Sequence, residues 1–579
     1  MGFGDGLNQG IRREKMIVAG ISLAKMYDFR HFYFGYQSLK LMMRTFFYFW
    51  SLLCCLANTA QAQFTRQDSL RGSLSALRTC YDVHYYDLSL TVYPDQRFIQ
   101  GFNDIHFKAN TSFETLQIDL FENMAITAIT WEGQSLSFER EGNATFVSFP
   151  RPLAQGSLSV IRVAYEGKPT VAINAPWDGG FTWAQDAEGK PWIGVSCEGI
   201  GASLWWPNKD HLSEEPDSMR IRCAVPQGLM CVANGRLRGT QQLENDLVQF
   251  DWFVSYPINN YNVTLNIANY AHFEDVYEAA DGDRLTLDFF VLPKNLEKAQ
   301  KQLGTQTKPM LACFEQYFGK YPFWNDGYKV VETPYLGMEH QSAIAYGNGY
   351  KNGYLGSDLS GSGVGLKFDY ILIHESGHEY WGNNVSCDDH AEMWIHESWC
   401  TYSEVVYVEC MFGKAAADAY VNGYRYKVEN RKPLIAPLGV NADAPGDIYF
   451  KGALMLHTLR HVVDNDALWW ATVKNIQSHF RHQVINTQQL IDFMSKQLGA
   501  DYQYFFDQYL YQAKLPELEI QALEGKGYRY RWANCVPDFR MPIKAKINGK
   551  IQTLTPTTVW QTLPKATSVK PLMELYYIK

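Results

Sequence analysis

The feature that most constrains this chain is His374-Glu375-Ser376-Gly377-His378, followed nineteen residues after His378 by Glu397. On a helix, residues i and i+4 lie on one face, so His374 and His378 can bind one Zn²⁺, with Glu375 beside them to handle protons. Tyr370-Ile371-Leu372-Ile373 runs directly into the motif and should bury that helix, which argues against two ordinary surface histidines. A catalytic zinc needs a third protein ligand and an open position. Glu397 lies in Trp394–Trp399, a helical segment that can run antiparallel to the first and carry its carboxylate to the metal. Glu404, seven residues on and two turns along the same face, is placed to hydrogen-bond a ligand imidazole.

The surrounding chain divides into three parts after a leader: residues 63–271, 272–513 and 514–579. The first reads as β, with alternating segments Tyr86–Val92, Thr115–Leu120 and Leu158–Tyr165 broken by turns such as Glu141-Gly142-Asn143. Cys223 and Cys231 flank an expected hairpin turn at Pro226-Gln227-Gly228, either as a cross-strand disulfide or as two buried thiols. The second part reads as strand-poor and helical. Helical periodicity marks Leu296–Phe318, Tyr370–Gly382, Trp394–Cys410, Lys414–Asn430, Lys451–Asp464 and Leu468–Phe480. Gly356–Gly365 reads as a flexible surface loop. The third part returns to β at Glu517–Ala522, Tyr528–Ala533, Met541–Ile547 and Gln552–Trp560.

Residues 1–62 read as a leader. Arg44, the apolar run Phe46–Ala57 and Ala60-Gln61-Ala62 together describe a secretory signal peptide cut before Gln63, with Met42 or Met43 as the expected true start. The run is too short for a bilayer core, which needs roughly 20 residues. The rest is expected to be exported, periplasmic or secreted, without a membrane span. The leader carries seven Lys/Arg and three Asp/Glu, so the formal net charge moves from −9 for 579 residues to −13 without it. That acidic balance argues against nucleic acid as a partner. Nothing in the sequence sets the oligomeric state.

With its ligand spacing, the chain resembles the gluzincin zinc aminopeptidases, the family of aminopeptidase N and leukotriene hydrolase. Three further segments carry the resemblance. Leu336-Gly337-Met338-Glu339-His340 is similar to the family's G-x-M-E-N motif, with Leu336 and His340 in place of its Gly and Asn. Tyr449-Phe450-Lys451-Gly452 is similar to its Y-x-K-G segment. Cys197-Glu198, with Pro207 and Glu215-Pro216 beyond, resembles the segment that helps hold a substrate's amino terminus. The likeness covers the chain beyond the leader and is weakest in the last 65 residues, where many relatives continue into a large helical domain.

The resemblance implies a multidomain α+β fold: an N-terminal β saddle or sandwich, a thermolysin-like helix-rich catalytic domain and a small C-terminal β domain. It implies one Zn²⁺ per chain on His374, His378 and Glu397, with Glu375 and Tyr449 catalytic and Glu404 supporting the ligands. Glu339 and Glu198 would bind the free amine of a peptide substrate. The competing readings are a thermolysin-like endopeptidase and a peptide-binding scaffold without activity. His390 and His396 are expected to stand outside the metal set, and nothing in the spacing of Cys387 or Cys400 marks a thiolate ligand. The preferred N-terminal residue is not legible.

Overall fold

Alternation of apolar and polar residues makes Tyr81–Tyr93 a strand, with Tyr86, Leu88, Leu90 and Val92 buried on one face. The computed structural model describes residues 64–579 apart from Lys526, so the leader and its cleavage site lie outside the described residues. Two short helices, α1 (Arg66–Gly72) and α2 (Ala76–Thr79), precede that strand. It pairs antiparallel with Phe98–Ala109 and parallel with Ser218–Pro226 at the middle of an eight-stranded sheet. A four-stranded sheet, in the order Met230–Ala233, Leu265–Ala268, Pro191–Ser196 and Gly180–Gln185, packs beside it. The chain leaves Ser196 straight into Cys197-Glu198, so this second sheet aims Glu198. Ser218–Pro226 and Met230–Ala233 enter different sheets rather than forming a hairpin, and Cys223 and Cys231 are both buried free thiols.

The helical part holds more β structure than its sequence suggests. A five-stranded mixed sheet runs in the order Ala271–Glu278, Arg284–Val291, Tyr328–Glu332, Ile344–Tyr346 and Gly337–Met338. Tyr328–Glu332 is buried on both faces and pairs in parallel on both sides, so it lacks the period-two signal of a half-exposed strand. The last member, two residues long, delivers Glu339 to the helices.

Those helices are α3 (Leu296–Tyr317), α4 (Tyr370–His378), α5 (Trp394–Phe412), α6 (Lys414–Gly423), α7 (Asp447–Val463), α8 (Asp466–His479), α9 (Thr487–Leu498) and α10 (Gln503–Tyr511). Asp369 caps α4 by accepting from the backbone N–H of Leu372, and its other oxygen accepts from Tyr346 at 2.6 Å. Beyond α4, Trp381 stacks on Trp399 of α5 with centroids 4.3 Å apart, locking the two helices together.

Several elements stop earlier than periodicity alone predicts. α4 ends at His378 rather than Gly382, because Gly382 turns the chain at φ 122° and a Cβ there would press on the rings of His378 and His396. α6 ends at Gly423, where a Cβ would lie 1.9 Å from the carbonyl oxygen of Ser360. Gly356–Gly365 is pinned by Asp358, which accepts from the N–H groups of Ser360 and Gly363. In the C-terminal part, the expected Gln552–Trp560 strand stops at Leu554, shortly before Pro556, and Gln561–Leu563 beyond it joins the other sheet. Two three-stranded sheets form there, and the chain end is tied to α7 by the Tyr577 N–H donating to Thr458 Oγ1 at 2.8 Å. Thr65–Lys579 packs as one unit.

Candidate metal and peptide site

α4 and α5 bring His374, His378 and Glu397 together. Glu397 Oε2 lies 3.7 Å from His374 Nε2 and 3.5 Å from His378 Nε2. Tetrahedral coordination with bonds of about 2.1 Å separates ligand atoms by roughly 3.4 Å. The outer nitrogens settle the orientation of both rings. His374 Nδ1 donates to Glu404 Oε1 at 2.7 Å, and His378 Nδ1 donates to the Trp381 carbonyl at 3.0 Å. With both N–H groups engaged, each Nε2 turns a lone pair inward, where the buried Glu397 Oε2 has no hydrogen-bond partner among the described residues. Three acceptors facing one another without a donor fit a cation. The residues therefore suit Zn²⁺.

Glu404 is buried and held in turn. Its Oε2 accepts from Tyr420 at 2.8 Å and from Tyr424, and Tyr370 stacks on His374 with centroids 5.4 Å apart. Glu404→Gln is expected to weaken metal binding roughly 10- to 100-fold while leaving the fold intact, read by competition with a chelator. Unchanged affinity would mean the bond does not position His374.

Glu375 stands on the same helix, outside the trio. Burial pushes its carboxyl up to about 7, against the pull of His374 and His378. Gly337 passes so close that a Cβ would lie 2.7 Å from Glu375 Oε1, so only glycine lets the edge strand approach. Tyr449, in the first turn of α7, has its ring 6.2 Å from that of His374. Burial and the carboxylates of Glu397 and Glu198 raise its phenol well above the usual value, so it keeps its proton.

Glu198, Glu339 and Glu397 form the second cluster, with an oxygen of each within 4.8 Å of the others. Burial and mutual repulsion raise Glu198 well above the usual carboxylate range, and burial raises Glu339. Tyr261 donates to Glu339 Oε1 at 2.9 Å, and Asn383 donates to the Glu339 carbonyl at 2.8 Å. His340 is buried, and neither ring nitrogen has a hydrogen-bond partner among the described residues. Glu339 is thus held by Tyr261 and Asn383, not by His340. Both clusters open into a cleft of about 580 Å³ whose wall includes Trp177, Leu336, Tyr354 and Phe450.

The other nearby groups point elsewhere. His396 is buried, accepts from the Cys387 N–H at 2.9 Å and lies on the Nδ1 side of His378, outside the set of facing ligand atoms. His390 lies at the cleft wall, 3.7 Å from Asp443. Cys400 does come near both imidazoles, but its thiol donates to the His374 carbonyl on the helix backbone. Tyr261, Tyr370, Asn383, Tyr420 and Tyr424 were not legible as site residues. Only a helical face shared by Tyr420 and Tyr424 at i, i+4 could have pointed to the last pair.

Two histidines and a glutamate on facing helices suit a metal ion, and the cluster of carboxylates beside them suits an ammonium group. Residues 304–509, which include the helices that carry the site, match the family model of the Peptidase family M1 domain. Among curated proteins, a leucyl aminopeptidase from Saccharolobus solfataricus is 20% identical over 489 residues, covering 78% of this chain and 57% of its own length. An aminopeptidase N from Streptomyces lividans is 24% identical over 302 residues, 48% of this chain and 33% of that one. The chain thus spans only about a third to just over half of the length of these relatives. Among solved structures, a mutant of an M1 zinc metallopeptidase from Deinococcus radiodurans, bound to a Tyr-Ser-Ala substrate, is similar at a TM-score of 0.63 and 22% identity. That match covers 76% of this chain and 96% of that one. These matches agree with the gluzincin resemblance and with a multidomain α+β fold.

Proposed function

We propose that the chain is a zinc-dependent aminopeptidase that hydrolyses N-terminal residues from peptides. The observation that carries this reading is the cluster of Glu198 and Glu339 beside the His374, His378 and Glu397 trio, within one cleft. When bound to that trio, Zn²⁺ supplies Lewis acidity that polarises a carbonyl oxygen and acidifies water. Glu375 takes the proton of the attacking water and returns it to the leaving amine, a task for a carboxylate held beside the trio. Tyr449 donates its O–H to the oxygen that gains charge. Glu198 and Glu339 hold the substrate's ammonium and so register the peptide from its end. The relatives support the reading by their names, as aminopeptidases, and the Deinococcus enzyme by its bound tripeptide.

Aminoacyl amides and short peptides are expected to be hydrolysed, with activity lost to a chelator and restored by Zn²⁺. Acetylating the substrate's amine is expected to cut kcat/KM at least roughly 100-fold, since buried carboxylates are then left without a cation. Equal cleavage of acetylated peptides would point to an endopeptidase, and no cleavage of any peptide to a binding scaffold.

We also propose export, on the strength of Arg44, Phe46–Ala57 and Ala60-Gln61-Ala62. Among the described residues no helix is long and apolar enough to cross a membrane. N-terminal sequencing of the mature protein is expected to begin at Gln63, and a terminus upstream of Met43 would overturn the reading.

A further inference from the structure

Two turns along α7 from Tyr449, His457 and His461 follow at i, i+4, so their rings share one face of the helix. The ring centroids are 4.6 Å apart at 80°. Asp418 on α6 faces them, with Oδ1 3.6 Å from His457 Nε2, and one ligand atom from each of the three lies within 4.8 Å of the others. His457 is only 3% exposed, and neither of its ring nitrogens has a hydrogen-bond partner among the described residues. The same is true of His461 Nε2. Buried polar atoms are normally satisfied, so three orphaned imidazole nitrogens in one place require a reason. Burial pushes His461 down to about 4 and His457 well below its ordinary value. Both rings are therefore neutral near pH 7, the form in which imidazole ligates a metal.

We propose that Asp418, His457 and His461 form a second metal site, which takes a divalent transition ion such as Zn²⁺ and clamps α6 to α7. Two imidazoles and one carboxylate suit zinc, copper or nickel rather than calcium or magnesium, which prefer oxygen donors. The 3.6 Å separation of Asp418 from His457 is already close to the roughly 3.4 Å edge of a tetrahedral site. Rotation of the half-buried His461 and the partly exposed Asp418 closes the rest. The nearby cations are engaged elsewhere: Arg460 donates to Glu409 and Asp466, and Lys414 donates to Asp466 at 3.0 Å. The clamp would hold α6 two residues from Tyr420, whose hydroxyl supports Glu404.

The test is zinc stoichiometry in the whole chain. The protein is loaded with Zn²⁺, freed of excess metal and assayed for bound zinc and for thermal midpoint during further Zn²⁺ titration. The wild type is expected to hold two ions per chain, the second raising the midpoint of unfolding. His461→Gln and Asp418→Asn, both at the partly exposed rim, are expected to keep one ion and to weaken the second at least tenfold. Co²⁺ in place of Zn²⁺ is expected to add a second visible absorption component in the wild type that both variants lack. A single ion in the wild type, or a second ion that both variants bind with unchanged affinity, would overturn the proposal.

Discussion

Glu375→Ala is expected to retain zinc at the wild-type level at the α4–α5 site and to lower kcat by roughly 10²–10⁴-fold, the range of a positioned general base. The geometry separates the two effects. The facing acceptors are His374 Nε2, His378 Nε2 and Glu397 Oε2, each fixed by its own helix or by an outer hydrogen bond, and none of these bonds involves Glu375. The carboxylate also lies within ligand distance of Glu339 and His378. A metal held by that alternative set would be lost with Glu375. Metal analysis and turnover on the same preparation therefore discriminate: zinc retained with activity gone supports the base, whereas zinc lost would make Glu375 a ligand. Near-wild-type turnover would remove it from the mechanism. Glu375→Gln, which keeps the shape against Gly337, is the control for packing.

The metal trio was legible because helical geometry converts spacing into position: i, i+4 puts His374 and His378 on one face, and a second apolar helix brings Glu397 opposite them. Glu404 followed by the same logic, two turns beyond Glu397. The tyrosines that hold Glu404 were not legible, because a buried tyrosine among 36 carries no local signature of its hydroxyl's partner. Tyr261 and Asn383 escaped for a different reason. They reach Glu339 from segments 78 and 44 residues away in sequence. The strand that presents Glu339 was hidden as well, since two residues cannot show alternation. Helix starts and stops were misplaced where tertiary packing overrode propensity. α7 begins at Asp447, four residues before the expected Lys451, without a side-chain cap. The HxxxH pair of α7 has the same spacing as His374 and His378, but its carboxylate partner lies on the preceding helix, 39 residues before His457, where spacing gives no guide.

Glu339→Gln is expected to lower kcat/KM for peptides with a free amine by roughly 10²–10³-fold, in line with the loss of a buried charge pair. Cleavage of acetylated peptides, slow in the wild type, is expected to stay the same or rise. The ratio between the two substrates is therefore the decisive readout, because a variant that merely disturbs the fold lowers both rates together. The size of the effect follows from the crowding of Glu198, Glu339 and Glu397. Each carboxylate raises the cost of ionising its neighbours, and a substrate ammonium placed among them relieves burial and repulsion at once. Glu339 is the more deeply buried of the two residues proposed to bind the amine, at 2% exposure, and its oxygen is already oriented by Tyr261. Tyr261 orients Glu339 and not Glu198, so Glu198→Gln is expected to cost less. The two substitutions share one ligand, so their combined effect should fall short of the sum of the separate free energies. Strict additivity would mean that the two carboxylates do not grip the same ammonium, and an unchanged substrate ratio in Glu339→Gln would assign amine recognition to other residues.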